Sequence, residues 1–335
     1  MNDTSADDNF DDFYRAGASP YKAVLMGIIS GLIILGNIFN IAVILYNENL
    51  RTVSGSFMVA LASADLGLGI FVVPFTVQTT LVGVWTYPDR VCQYVGFMSS
   101  TFTLSSIFLL MDLSIDRYVS IAKPIEYYSV MTNRKCIFMI LKSWVVASVY
   151  SMGPFLGWGR YGYSYKMYIC TLDIFSNTSF GIVVFVLVIP PFIIMFILNI
   201  KIFIIARNHA KQLYYIRGSQ GQVTKHYPIT AIKAAKTVAI VIATFAISWI
   251  PMVTAYGYSV FANHRLAPNL SFSFMYLAVA NSFWNCVIYS TTNLKFRLGA
   301  RKLVLKMKNR MFPRSSSVQN LKIERSITMY SISTV

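Results

Sequence analysis

An acid, a guanidinium and a phenol stand in a row as Asp116-Arg117-Tyr118, at the cytoplasmic end of a long apolar stretch. Arginine at the mouth of a membrane bundle is costly to place and marks function by default. A second set is Asp65 with Ser106, Asn281, Ser282 and Asn285. One carboxylate among hydroxyls and amides is a hard-oxygen set suited to a small cation such as sodium. The alternative is a protonated Asp65 that only hydrogen-bonds.

These residues need elements to hold them. Of the 335 residues, 56% are hydrophobic and 13% charged. A soluble domain runs at about 45–50% apolar and about 25% charged. A membrane-crossing helix needs roughly 20 mainly apolar residues, and seven stretches qualify: Val24–Tyr46, Ser56–Leu81, Val91–Ala122, Cys136–Trp158, Phe180–Ala206, Ile232–Phe261 and Leu270–Thr291. The expected fold is an all-α membrane protein, a seven-helix bundle over 24–291. It has an extracellular tail (1–23), an amphipathic helix eight (292–312) and a cytoplasmic tail (313–335). In helix eight, Phe296, Leu303 and Met307 recur at helical spacing among Lys295, Arg301, Lys302, Lys306 and Lys308, a pattern that lies in the membrane interface.

Charge sets the orientation. Outside are Arg15, Lys22, Arg90, Arg160, Lys166 and Arg265, and the other 23 of the 29 basic residues fall inside or near it. That is the positive-inside pattern, and it turns the basic surplus toward anionic inner-leaflet lipid. No nucleic-acid motif interrupts the spans. The first 20 residues are acidic and polar, with no signal peptide, so the first span is expected to direct insertion. Asn2 and Asn177 head glycosylation sequons on the outer side, and Asn269 heads a third close to the membrane. Of four cysteines, Cys92 and Cys170 share the oxidising side and are expected to form a disulfide. Cys136 and Cys286 read as buried thiols.

Cys92, Ser99, Ser106 and Leu113 are seven apart and make one stripe on span three, with Arg117 a turn further on. The stripe faces inward, because Arg117 cannot face acyl chains. Asp65 then meets Ser106 and the span-seven polar group at similar depth. Asn37, Trp144, Pro190, Pro191, Trp249 and Pro251 place polar groups or prolines in the other spans. Singly, each reads as helix-packing glue.

As an ordered set these residues resemble class A (rhodopsin-like) G-protein-coupled receptors. The matching motifs are Gly36-Asn37, Leu61–Asp65, Asp116-Arg117-Tyr118, Trp144, Phe245 with Trp249 and Pro251, and Asn285 with Tyr289. The stretch Asn281–Ser290, with Arg90–Val95, is similar to a small orphan subgroup whose mammalian members signal through the stimulatory G protein. The resemblance implies a plasma-membrane receptor with no cofactor beyond a sodium ion inside the bundle. Span six would swing outward around Pro251, relayed by Trp249 and Phe245. Arg117 would then be released to a heterotrimeric G protein, with Ile125 as an apolar knob for it. A pocket of Ser99, Met252, Val253, Met275 and Tyr276 would suit a lipid, a hydrophobic small molecule or a folded-back loop.

Departures matter equally. Cys286 replaces the usual span-seven proline and should straighten that helix. Ser99 stands where amine receptors carry an aspartate, and Val279 where opsins carry lysine. The acid that pairs with the span-three arginine from the foot of span six is absent, with Ala231, Lys233 and Lys236 there instead. High basal activity is the expectation; the alternative is that Asp116 alone restrains Arg117. Asp112 either adds repulsion near Arg117 or reaches Lys135 or Lys142. Ser315, Ser316, Ser317, Ser326, Thr328, Ser331 and Ser333 offer sites for receptor kinases and, once phosphorylated, for arrestin; the alternative is a solvated tail.

Among rivals, a ligand-dependent amine or peptide receptor stays within the same class. A transporter would typically show an internal repeat or paired broken helices, and neither is found. An enzyme is disfavoured, since His209, His226 and His264 are scattered and read as loop residues.

Overall fold

The computed structural model describes residues 17–173, 178–219, 240, 243–255, 257, 258 and 267–311. Asn2, Asn177, the span-six foot with Ala231, Lys233 and Lys236, and the serine-rich tail lie outside the described residues.

Span one runs from Pro20 to Tyr46. Proline fits the first turn because that N–H has no helical acceptor anyway. Span two begins at Val53 under Thr52, whose hydroxyl accepts the Gly55 N–H at 3.2 Å. It breaks at Val72 and resumes over Val73–Val82. Pro74 explains the break: it has no N–H to donate and its ring crowds the preceding turn. Span three is a 34-residue helix, Asp89–Ala122, with an acid in its first turn, where the helix dipole favours it.

Span four covers Asn133–Ser151 and stops short of the expected Trp158. Gly153 and Pro154 turn the chain into a short 3-10 segment, Gly153–Leu156. The loop that follows holds an element that hydropathy did not reveal. Strands β1 (Tyr161–Ser164) and β2 (Ile169–Leu172) form an antiparallel hairpin. It lies directly on span three: a Cβ on Gly96 would come within 2.5 Å of the Tyr161 ring. Span five continues as one helix, Thr178–Ser219, past its expected end, and carries His209. Span six is described chiefly as Ala243–Ala255. Span seven is Pro268–Thr292, and a further helix, Leu294–Met311, follows it.

Span three is the hub, packing against spans two, four and five and both strands. Toward the cytoplasm, Val43, Phe57, Leu61, Leu110, Leu113 and Ile288 form a core that Phe296 of the last helix completes. Toward the outside, Met26, Ile33, Leu68, Val95, Ile169 and Tyr276 form a second core. The opposite faces expose Leu35, Phe138, Val149 and Phe196. Apolar side chains turned outward on this scale belong against acyl chains. Four helices meet the length and hydropathy of a bilayer crossing within the described residues: Pro20–Tyr46, Val53–Val82, Asp89–Ala122 and Ser179–Ile205.

Candidate functional site

The cytoplasmic end of span three carries two acids one turn apart, each with different neighbours. Asp116 is fully buried. It accepts hydrogen bonds from Ser54 on span two and, at 2.7 Å, from the Tyr127 hydroxyl on the short helix Tyr127–Val130. Burial and then the Asp116 carboxylate push the Tyr127 phenol well up from its ordinary range, so it stays a donor. Arg117 is partly buried and makes no ion pair among the described residues. Lys201 sits 5.8 Å from the Tyr118 ring centroid. Ile125 is 96% exposed beside this end.

Asp112 takes the second of the two roles open to it. It accepts from Lys142 at 3.2 Å and from Ser143 at 2.8 Å, both on span four. Lys135 lies seven residues before Lys142, roughly 10 Å lower on a helix rising about 1.5 Å per residue.

At mid-depth, Asp65 is 1% exposed. Ser106 and Ser282 donate to one oxygen at 3.1 and 2.8 Å, and the Asn285 amide nitrogen donates to the other at 3.1 Å. Asn281 lines the adjoining cavity, and no hydrogen bond from it to Asp65 is seen among the described residues. The carboxylate and two hydroxyls fit a small hard cation. Asn285 would have to turn its oxygen inward to join them.

Cys286 does more than omit a proline. Asn40 donates to its sulfur at 3.1 Å, and the thiol points to the Asn37 oxygen at 3.5 Å. Asn37 also donates to the Ser282 carbonyl at 3.1 Å. Gly36 lets span seven this close, since a Cβ there would lie 3.0 Å from the Cys286 sulfur. Span seven passes through Cys286 as a single helix. The Tyr289 backbone is helical; its side chain lies outside the described residues.

Above Asp65, a cavity is lined by all five expected pocket residues: Ser99, Met252, Val253, Met275 and Tyr276. Trp249 lines it too, with a buried indole N–H that has no partner among the described residues. Its ring lies 6.0 Å from Phe245, which lies 4.9 Å from Phe192. Pro251 follows within the same helical segment. From above, Ile169, Thr171 and Leu172 of β2 reach into the cavity. The disulfide Cys92–Cys170 ties that strand to span three. Asp65, already engaged by three donors, is the cavity's carboxylate.

Sequence reasoning missed Ser54, Tyr127, Ser143 and the cavity-facing side of β2. Their partners are distant in the chain or on a loop, and no periodicity marks them.

The profile described as "7 transmembrane receptor (rhodopsin family)" matches residues 36–289. The human adenosine receptor A2b is 27% identical over 297 residues, covering 83% of this chain and 87% of its own. The bovine G-protein coupled receptor 52 is 27% identical over 300 residues, covering 84% and 80%. The human trace amine-associated receptor 5 is 30% identical over 295 residues, covering 86% and 85%. Together with the bundle, the disulfide and the ordered polar residues of its spans, these matches show that the chain belongs to the rhodopsin family of seven-transmembrane receptors, as a multi-pass G-protein-coupled receptor of the plasma membrane and not an enzyme.

Proposed function

We propose that this receptor signals without an added ligand, through the stimulatory G protein, and raises cAMP. The observation that carries the reading is the pairing at the foot of span three. Asp116 is engaged by Ser54 and Tyr127, while Arg117 has no ion pair among the described residues. An arginine without such a restraint costs less to release. A coupling of about 1–3 kcal/mol corresponds to roughly five- to 150-fold in population. The similarity of Asn281–Ser290 and Arg90–Val95 to a subgroup linked to the stimulatory G protein supports that partner.

The cycle needs no bond chemistry. Outward movement of span six around Pro251 opens a cavity at the cytoplasmic face. Arg117 and Tyr118 then meet the Gα subunit, and Ile125 adds an apolar contact. Bistable helix packing makes such a switch possible. Asp65, Ser106 and Ser282 would hold a sodium ion, which supplies positive charge to the buried carboxylate. Membrane lipid, receptor kinases and arrestin belong to the same proposal as further partners.

The test is ligand-free cAMP accumulation in cells expressing wild type and Arg117→Ala side by side. A raised baseline with wild type, abolished by Arg117→Ala at equal surface expression, is expected. A flat wild-type baseline removes the basal-activity reading; signalling that survives Arg117→Ala removes the role given to the arginine.

One observation favours a second reading, an amine ligand: the trace amine-associated receptor 5 is 30% identical to this chain. Ser99 weighs against it, because a buried ammonium needs a counter-ion. An amine panel on wild type and Ser99→Asp separates the two readings. A peptide ligand remains the third reading within the class, motivated by the acidic tail.

A further inference from the structure

Lys22 stands in the first turn of span one, yet it is only 8% exposed. Its ammonium donates to Asn269 Oδ1 at 3.0 Å, at the start of span seven. It lies 4.7 Å from the Phe272 ring centroid, 5.3 Å from Tyr168 and 6.0 Å from Tyr21. No carboxylate pairs with it among the described residues. Ring faces and a hydrogen-bond acceptor stabilise a buried cation, and this cage supplies both.

The cage joins three separate pieces of chain: span one, span seven and the turn between β1 and β2. Tyr168 on that turn has φ +54°, the one non-glycine residue in the left-handed region among the described residues. A bulky side chain holds that conformation only where its surroundings over-determine it. Here the hydroxyl donates to Gly17 O at 3.1 Å, and the ring meets Phe272 edge-on at 6.0 Å. The neighbouring Met167 carbonyl accepts from Tyr276, one of the cavity's own residues, at 2.9 Å. The disulfide at Cys170 anchors the other end of the turn.

We propose that Lys22 is the latch of a lid. The hairpin, held down by the Lys22 cage, covers part of the cavity's outer side through Ile169, Thr171 and Leu172 and slows the entry of charged, water-borne solutes there. The ligand class that fits is therefore a neutral, apolar molecule that arrives dissolved in the bilayer. Among the described residues, the Trp249 indole N–H and the Thr76 hydroxyl are the cavity's unpartnered polar groups that it would meet. On the side of spans three, four and five, Leu104, Tyr150, Val184 and Phe185 make the cavity wall apolar. The proposal rests on reading this cavity as the ligand site, but not on basal activity.

The test is thiol accessibility in the full-length receptor on intact cells. Ser99→Cys places a reporter thiol on the cavity wall, and wild type is the blank for the two buried native thiols, Cys136 and Cys286. A cationic methanethiosulfonate reagent applied outside is compared with the neutral methyl methanethiosulfonate, with modification read by mass spectrometry. The neutral reagent should modify the introduced thiol, and the cationic one should be at least tenfold slower. Adding Lys22→Ala should raise the cationic rate tenfold or more, while Lys22→Arg, which keeps a cation for the cage, should not. Equal rates with Lys22 in place overturn the proposal, as does an unchanged cationic rate in Lys22→Ala or no reaction with either reagent. Met275→Cys replaces the reporter if Ser99→Cys does not reach the surface. A flat cAMP baseline would remove the basal-activity reading and leave this experiment intact.

Discussion

Tyr127, on the loop after span three, donates its hydroxyl to Asp116 at 2.7 Å and so occupies the acid adjacent to Arg117. The loop and the foot of span three are thus one hydrogen-bonded unit.

Tyr127→Phe removes that donor and frees one carboxylate oxygen. Hydrogen bonds to charged groups contribute about 1.5–3 kcal/mol. The freed Asp116 is expected to turn toward Arg117 and lower ligand-free cAMP severalfold at unchanged surface expression. A baseline that stays level or rises would refute the competition between Tyr127 and Arg117.

The Asp112–Lys142 pair is lopsided: the acid is 0% exposed and the lysine side chain 38%. Lys142→Met strands a buried carboxylate beside Ser143, whereas Asp112→Asn leaves a lysine that can extend to the interface. Leaving a buried acceptor short of a partner costs about 1–3 kcal/mol. Thermal unfolding of the detergent-solubilised receptor should therefore show a lower Tm for Lys142→Met than for Asp112→Asn. The double variant should recover most of the loss. Equal losses in the two single variants would mean that the pair is screened by solvent.

Cys286→Pro restores the family's usual residue. An interior proline ordinarily costs about 3 kcal/mol by removing a helical N–H donor. Here the Ser282 carbonyl that would lose a donor already accepts from Asn37. Cys286→Pro alone should keep surface expression near wild type, and Asn37→Ala added to it should lose expression by more than the two single effects combined. Additive behaviour would show that Asn37 does not compensate.

The Asp65 cluster should make signalling sodium-sensitive. Replacing sodium by potassium in a membrane nucleotide-exchange assay should raise basal exchange, since an ion bound there would favour the arrangement of spans two, three and seven that places Asp65, Ser106 and Ser282 together. Asp65→Asn should abolish the difference. Identical exchange in both salts with wild type would exclude a functional sodium site.

The spans were readable because a bilayer demands length and apolarity together, and both survive in a bare sequence. Most of the Asp65 cluster was readable too: a stripe at seven-residue spacing on span three fixed which way Ser106 faced, and depth brought in Asn281, Ser282 and Asn285, of which Ser282 and Asn285 bond the acid. Local chemistry that overrides hydropathy was harder to see. Pro74 breaks span two inside an unbroken apolar run, and Gly153-Pro154 ends span four while Phe155, Leu156 and Trp158 still look like membrane. Partner choice was least visible. Lys135 and Lys142 were equal candidates for Asp112 until helix rise separated them, and Lys22 read as a tail charge until three rings closed round it.

The two acids of span three have a mechanical consequence. One bolts the rod to span four and the other fastens it to span two and the loop, with a covalent tie at its far end. Span three is therefore the stator of this machine, and any stroke that admits a cytosolic partner must be made by the rods that swing around it.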